Sequence, residues 1–265
     1  MELQGKTALV TGGGGGIGAG IAEAFVEKGM KVVVTDINLD YAKAEAERIG
    51  GGVLALQHDV TSLESWAEVK KAAQAAFGQV DVLCNNAGIA QRFKPLDEVS
   101  PDEFDRLMAI NVRGVYNGVI SFVADMRERG YGHIVNTSSM NGILPHGTFA
   151  AYSASKFAVA GMSEALRVEL EPFGVGVSIL YPGLTRSRMS EGQEPGLDEE
   201  TAAAIRSRMM QPVWLGRAVA RAVETNQLHI ITHPGHKPQV EARFAGVLAA
   251  HGEPAEPGYV GGRRI

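Results

Sequence analysis

Short apolar runs alternate with longer amphipathic stretches along most of this chain. Lys6–Thr11 (KTALVT) and Lys31–Asp36 (KVVVTD) are continuous apolar runs, as strands buried on both faces read. Between them, Ile17–Gly29 carries apolar residues at helical spacing. Leu39–Ile49 is alanine-rich and charged, a surface-helix pattern that Gly50-Gly51-Gly52 stops. Val53–Gln57, Val80–Cys84, His133–Thr137 and Val175–Tyr181 read as further strands, with helices near Ser62–Phe77, Pro101–Arg129 and Ala151–Phe173. The pattern lapses over Gly183–Pro212, where Pro195-Gly196 falls, and resumes as a helix over Val213–Asn226 and a strand over Leu228–Thr232. Pro238–His251 reads as one more helix and Gly252–Ile265 as a tail rich in proline and glycine. Strands separated by helices predict βαβ units, and right-handed crossovers put helices on both faces. The expected fold class is therefore α/β, a single doubly wound parallel sheet of about seven strands. No repeat or composition break marks a second domain. Residues 1–265 are expected to form one domain, with a lid near 184–212 and a C-terminal helix and tail near 237–265.

Composition narrows the partners. With 45% apolar and 21% charged residues the chain is of ordinary globular type, and its 265 residues suit one large α/β unit. A net charge of -5 argues against a nucleic-acid partner. The single cysteine, Cys84, excludes an internal disulfide framework and fits a reducing compartment. The N-terminus enters a strand without a leader, and no stretch reads as the roughly 18 apolar residues of a span, so a cytoplasmic protein with no membrane partner is expected.

The first chemistry lies in "TGGGGGIGAG", Thr11–Gly20, between strand and helix. Glycines let the backbone approach a pyrophosphate, and a helix N-terminus favours the anion. The run admits two registers: Gly13, Gly15 and Gly18, or Gly12, Gly16 and Gly18. Asp36 ends the second strand, 18 residues after Gly18, where a carboxylate would accept hydrogen bonds from an adenosine ribose and repel a 2′-phosphate. Position 37 is isoleucine and the loop carries no Lys or Arg, which favours NAD over NADP. His58-Asp59-Val60 reads either as an adenine contact or as a helix start capped by Asp59 or Thr61.

Tyr152-Ser-Ala-Ser-Lys156 puts a phenol and an ammonium on one helical face, where the ammonium would favour the phenolate. Ser139 lies 13 residues upstream, after the strand ending in Asn136-Thr137. "NNAG", Asn85–Gly88, ends the fourth strand, Asn111 falls in mid-helix, and Tyr181-Pro182-Gly183 ends the sixth strand.

These motifs resemble the short-chain dehydrogenase/reductase family, in the branch with a TGxxxGxG loop and a YxxxK pair. The resemblance covers roughly Leu3–Leu184 and selects Thr11, Gly12, Gly16 and Gly18 as the loop. It implies a Rossmann-type domain and hydride transfer between a nicotinamide cofactor and a secondary alcohol/ketone pair. Tyr152 would be the general acid/base, Ser139 would orient the substrate oxygen, and Lys156 would hold the nicotinamide ribose and lower the Tyr152 pKa. Asn111 would anchor a proton-relay water. The cofactor would rest on Gly12, Gly16, Ile17, Gly18, Asp36, Ile37, Asp59, Val60, Asn86, Ala87, Gly88, Tyr152, Lys156, Pro182, Gly183 and Thr185. Either Thr185 or Ser187 would meet the carboxamide. Relatives are usually homodimers or homotetramers.

Substrate would meet Ser139, Met140, Leu144, His146, Tyr152 and Met189, with Asn141, Phe149, Gln91–Phe93, Met209 and Met210 as further wall. The methionines serve equally as lid packing, His146 as an exposed loop residue, and Arg186 and Arg188 as a solvated pair. The C-terminal run Leu228–Gly235 departs from the TG…VDGG ending of 3-oxoacyl-carrier-protein reductases and resembles relatives that oxidise bulky, often aromatic, secondary alcohols. The reductase reading stays as the alternative, and a non-catalytic NAD-binding regulator as a third. His233 and His236 lack a neighbouring carboxylate or cysteine, so no metal is expected. Trp66 and Cys84 read as structural.

Overall fold

The computed structural model describes residues 1–187, 203 and 207–252. The chain divides into two compact units, Met1–Thr232 and His233–Ile265. In the first, seven strands form one sheet in the order β3-β2-β1-β4-β5-β6-β7, every pairing parallel. They are β1 (Thr7–Thr11), β2 (Lys31–Asp36), β3 (Leu54–Gln57), β4 (Val82–Asn85), β5 (Gly132–Thr137), β6 (Val175–Tyr181) and β7 (His229–Ile231). The helices are α1 (Gly16–Glu27), α2 (Leu39–Ile49), α3 (Leu63–Phe77), α4 (Pro101–Met108), α5 (Gly114–Arg129), α6 (Ala150–Leu170) and α7 (Pro212–Thr225). The second unit contributes α8 (Lys237–Ala249), none of whose residues is buried.

Side-chain alternation deals each continuous apolar strand to two cores. Ala8, Val10, Val32, Val34, Val82, Cys84, Val135 and Leu180 pack with Ile21 and Phe25 of α1 and with Leu215, Val219 and Val223 of α7. Leu9, Val33, Leu83, Ile134 and Val177 point the other way, onto Trp66, Val119, Phe122, Met126 and Leu166 of α3, α5 and α6. The sheet order reverses between β1 and β4, so the crevice at their carboxyl ends is where a ligand of such a fold sits.

One expectation needs correction. Pro101–Arg129 is not one regular helix: Ala109–Arg113 is a π turn between α4 and α5. As one run it is also long and apolar enough, by length and composition, to cross a membrane. Its Leu107, Val115, Val119, Phe122 and Met126 are nonetheless core residues of the sheet protein. The expected lid residues Arg188, Met189 and Pro195-Gly196, and the tail beyond Gly252, lie outside the described residues.

Candidate active site

Hydrogen bonds stitch the glycine loop to the end of β4. Thr11 Oγ1 accepts the amides of Asn86 and Ala87, both at 3.0 Å, and Asn86 Nδ2 donates to Thr11 O at 3.0 Å. A Cβ on Gly18 would collide with the Gly12 carbonyl and lie 2.8 Å from Asn86 Nδ2, so only glycine lets α1 start this close to the loop. Gly16 has φ +53°, and a Cβ there would lie 2.6 Å from Ser187 Cβ. Helix α1 has no side-chain cap, which suits its N-terminus to an anion. Asp36 Oδ2 accepts Gly14 N–H at 3.1 Å and Oδ1 accepts Asn38 N–H at 3.0 Å, fixing the carboxylate beside the loop. Ile37, next to it, is exposed. A cradle that a Cβ would fill, an uncapped helix start and a fixed carboxylate fit a dinucleotide.

At the end of β3, His58 is buried, with Nδ1 3.0 Å from Thr35 Oγ1, and its ring stands edge-on to Trp66. The helix after it is capped by Ser62, which accepts Ser65 N–H at 3.2 Å. Neither expected cap serves, because Asp59 Oδ1 is turned onto Thr61 N and Oγ1 at 2.9 and 2.7 Å. Val60 is buried, and its carbonyl accepts Trp66 Nε1 and Asn117 Nδ2 at 3.0 and 3.1 Å.

The four expected catalytic residues converge. The π turn puts fully buried Asn111 against the end of the NNAG segment. Its Oδ1 accepts Ile89 N–H at 2.8 Å, and Nδ2 donates to Ile89 O and Ser155 Oγ at 2.9 and 3.1 Å. With its side chain engaged on the protein, Asn111 holds the backbone in place. Ser155 Oγ donates to Tyr152 O at 2.7 Å, and Ser138 Oγ to Lys156 O at 2.8 Å. Neither serine was singled out in the sequence, although Ser155 lies inside YSASK and Ser138 stands next to Ser139. Lys156 Nζ donates to Thr137 O at 3.0 Å and lies 5.7 Å from the Tyr152 ring centre. A Cβ on Gly88 would come within 3.1 Å of Asn111 Oδ1 and 3.4 Å of Lys156 Nζ, so this corner is filled.

Burial governs the titrations. It raises the Tyr152 phenol above its ordinary value of 10, opposed by a hydrogen bond with Ser139. It also pulls Lys156 down to about 8. The chain's own residues thus keep Tyr152 protonated at neutral pH, and the lowering expected from Lys156 is not among the causes of its shift.

On the substrate side, Phe93 stands edge-on to Phe149 at 4.3 Å between ring centres, and Phe149 to Tyr152 at 5.8 Å. His146 is exposed on the rim, 6.1 Å from Phe149. Met140 is buried, donates its amide to Pro182 O at 2.9 Å and accepts Leu144 N–H at 2.7 Å. Leu184 and Arg186 pair with Met210 through backbone bonds of 3.1 Å each, which buries Thr185 and Met209. Thr185 Oγ1 donates to Gly183 O at 3.1 Å.

The model of the short chain dehydrogenase family matches residues 6–198. A C alpha-dehydrogenase of Sphingobium sp. strain SYK-6 is 32% identical, over 93% of this chain and 87% of that protein. An NADP-dependent (R)-specific alcohol dehydrogenase of Lentilactobacillus kefiri is 37% identical, over 76% of this chain and 82% of that protein. A short-chain dehydrogenase/reductase from Burkholderia phymatum, solved in complex with NAD, superposes with a TM-score of 0.84 at 28% identity, covering 98% of this chain and all of that one. The chain belongs to the short-chain dehydrogenase/reductase family, nicotinamide-linked oxidoreductases acting on small-molecule substrates.

Proposed function

We propose that this oxidoreductase interconverts a bulky, aromatic secondary alcohol and its ketone, with NAD as cofactor. The observation that carries the reading is the placement of Tyr152: buried, with Lys156 Nζ 5.7 Å from its ring centre and Phe149, itself edge-on to Phe93, against it. Tyr152 Oη, as the phenolate, takes the alcohol proton during oxidation and, as the phenol, gives it to the ketone oxygen during reduction. Ser139 Oγ orients that oxygen. Lys156, anchored on Thr137 O, favours the phenolate once Tyr152 has lost its proton. The cofactor, when bound, supplies the hydride acceptor or donor.

Gly12, Gly16, Ile17 and Gly18 would hold its pyrophosphate, Asp36 and Ile37 the adenosine ribose, and Asp59 and Val60 the adenine. Asn86, Ala87, Gly88, Lys156, Pro182 and Gly183 would line the nicotinamide end. Ser187 is the better candidate than Thr185 for a further contact, because the Thr185 hydroxyl is turned onto Gly183 O while Ser187 stands against Gly16. NAD is supported by the Asp36 carboxylate, with Ile37 beside it offering no charge to a 2′-phosphate. Met140, Leu144, His146 and Met189 are proposed substrate contacts. Exposed Phe104, Tyr116 and Ile120 on α4 and α5 support a homo-oligomer.

The test is reduced-cofactor formation from aryl carbinols, alkyl alcohols, sugars and β-hydroxyacyl thioesters, each with NAD and NADP. Turnover of aryl carbinols with NAD is expected. Turnover of thioesters alone would replace this reading by the carrier-protein reductase.

A further inference from the structure

Helix α6 carries Tyr152 in its first turn, yet its start lacks the usual cap. The cap position is Phe149, at φ -129°, with no side-chain hydrogen bond. Its ring instead faces Phe93 and Tyr152. A serine, threonine or aspartate there would accept the third helical N–H, which in α6 is that of Tyr152 itself. The acceptor comes from 61 residues away, where Gln91 Oε1 takes Tyr152 N–H at 3.0 Å. The same amide's Nε2 donates to Lys94 O at 3.2 Å and to Thr148 O at 3.3 Å. Lys94 N–H also donates to Thr148 O, at 3.2 Å. Gln91 is buried, so losing it strands buried polar groups.

We propose that Gln91 is a positioning residue: it replaces the missing cap of α6 and ties the loop of Phe93 and the loop of Phe149 to Tyr152, so wall and acid/base hold one geometry. The two duties fall on different atoms, Oε1 for the helix and Nε2 for the loops. The kinetic part rests on Tyr152 being the acid/base of the proposed function; the structural part does not.

The experiment compares wild type with Gln91→Met, which removes all three bonds, and Gln91→Glu, which keeps the acceptor and loses both donors. The readouts are amide hydrogen exchange, thermal midpoint, and KM and kcat with the best alcohol of the panel. For Gln91→Met we expect faster exchange over residues 91–95 and 146–154, and a kcat about tenfold to a hundredfold lower, as for displaced catalytic groups. Its KM for NAD should stay within about twofold, and its thermal midpoint should fall by a few degrees, the cost of the stranded polar groups. Gln91→Glu should loosen the loops but protect the first turn of α6, raising the alcohol KM more than it lowers kcat. Wild-type exchange and kcat in Gln91→Met would overturn the proposal. So would a uniform loss of melting temperature and cofactor affinity, or identical behaviour of the two variants. If wild type turned over no alcohol while exchange followed the expected pattern, the functional reading would fail and the capping role would stand.

Discussion

Asp36 is the side chain on which the proposed NAD preference rests. Two backbone amides, those of Gly14 and Asn38, hold its carboxylate at the end of β2. A 2′-phosphate brought there would meet a fixed like charge, a repulsion worth several kcal/mol in a partly buried site. Asp36→Ala is therefore expected to lower kcat/KM with NAD and to raise it with NADP, narrowing the ratio by about tenfold or more. An unchanged ratio would remove Asp36 from the specificity argument. Asp36, Tyr152 and Lys156 could be read from the sequence because their chemistry depends on local spacing. Gln91 and Asn111 could be read only as candidates. Their partners lie 61 and 22 residues away, and no periodicity encodes contacts of that range.

The strands and most helices were legible because alternation and helical spacing survive burial, although β4 begins at Val82 rather than Val80. Helix α4 even announces its start, since Ser100 and Glu103 form a capping box with Pro101 at the first turn. The π turn between α4 and α5 was not legible, because what stabilises it is the Asn111–Ile89 contact across the fold. The same dependence on close approach gives a prediction for α1. Gly18→Ala sets a methyl against the Gly12 carbonyl and Asn86 Nδ2, so the loop must shift. NADH affinity is expected to fall by about tenfold or more, while the circular dichroism of the sheet protein stays unchanged. Wild-type affinity in that variant would mean the loop is not the cofactor cradle.

Over the whole molecule, two buried histidines make folding sensitive to acid. Burial lowers His58 to about 4 and His133 to about 3, from an ordinary 6.5. Ser178 Oγ donates to Gln227 O, so His133 Nε2–H donates to Ser178, and burial keeps the ring neutral at pH 7. Both groups bind protons more readily when unfolded, so their stabilisation is complete above pH 6.5 and drains away as pH falls toward the folded values. Between pH 7 and pH 4.5 each should cost roughly 2–3 kcal/mol. Thermal midpoints should fall steeply over that range, and a flat profile would contradict the burial argument. The alternating pattern foretold a doubly wound sheet but not its strand order, which is set by which crossover each helix takes.

The central claim is that Tyr152 moves the proton. It is tested by comparing wild type and Tyr152→Phe for ketone formation from an aryl carbinol, with NADH binding followed by fluorescence in both. Turnover should fall by about a thousandfold or more, with NADH affinity within about twofold of wild type. Substantial turnover in the phenylalanine variant would contradict that claim.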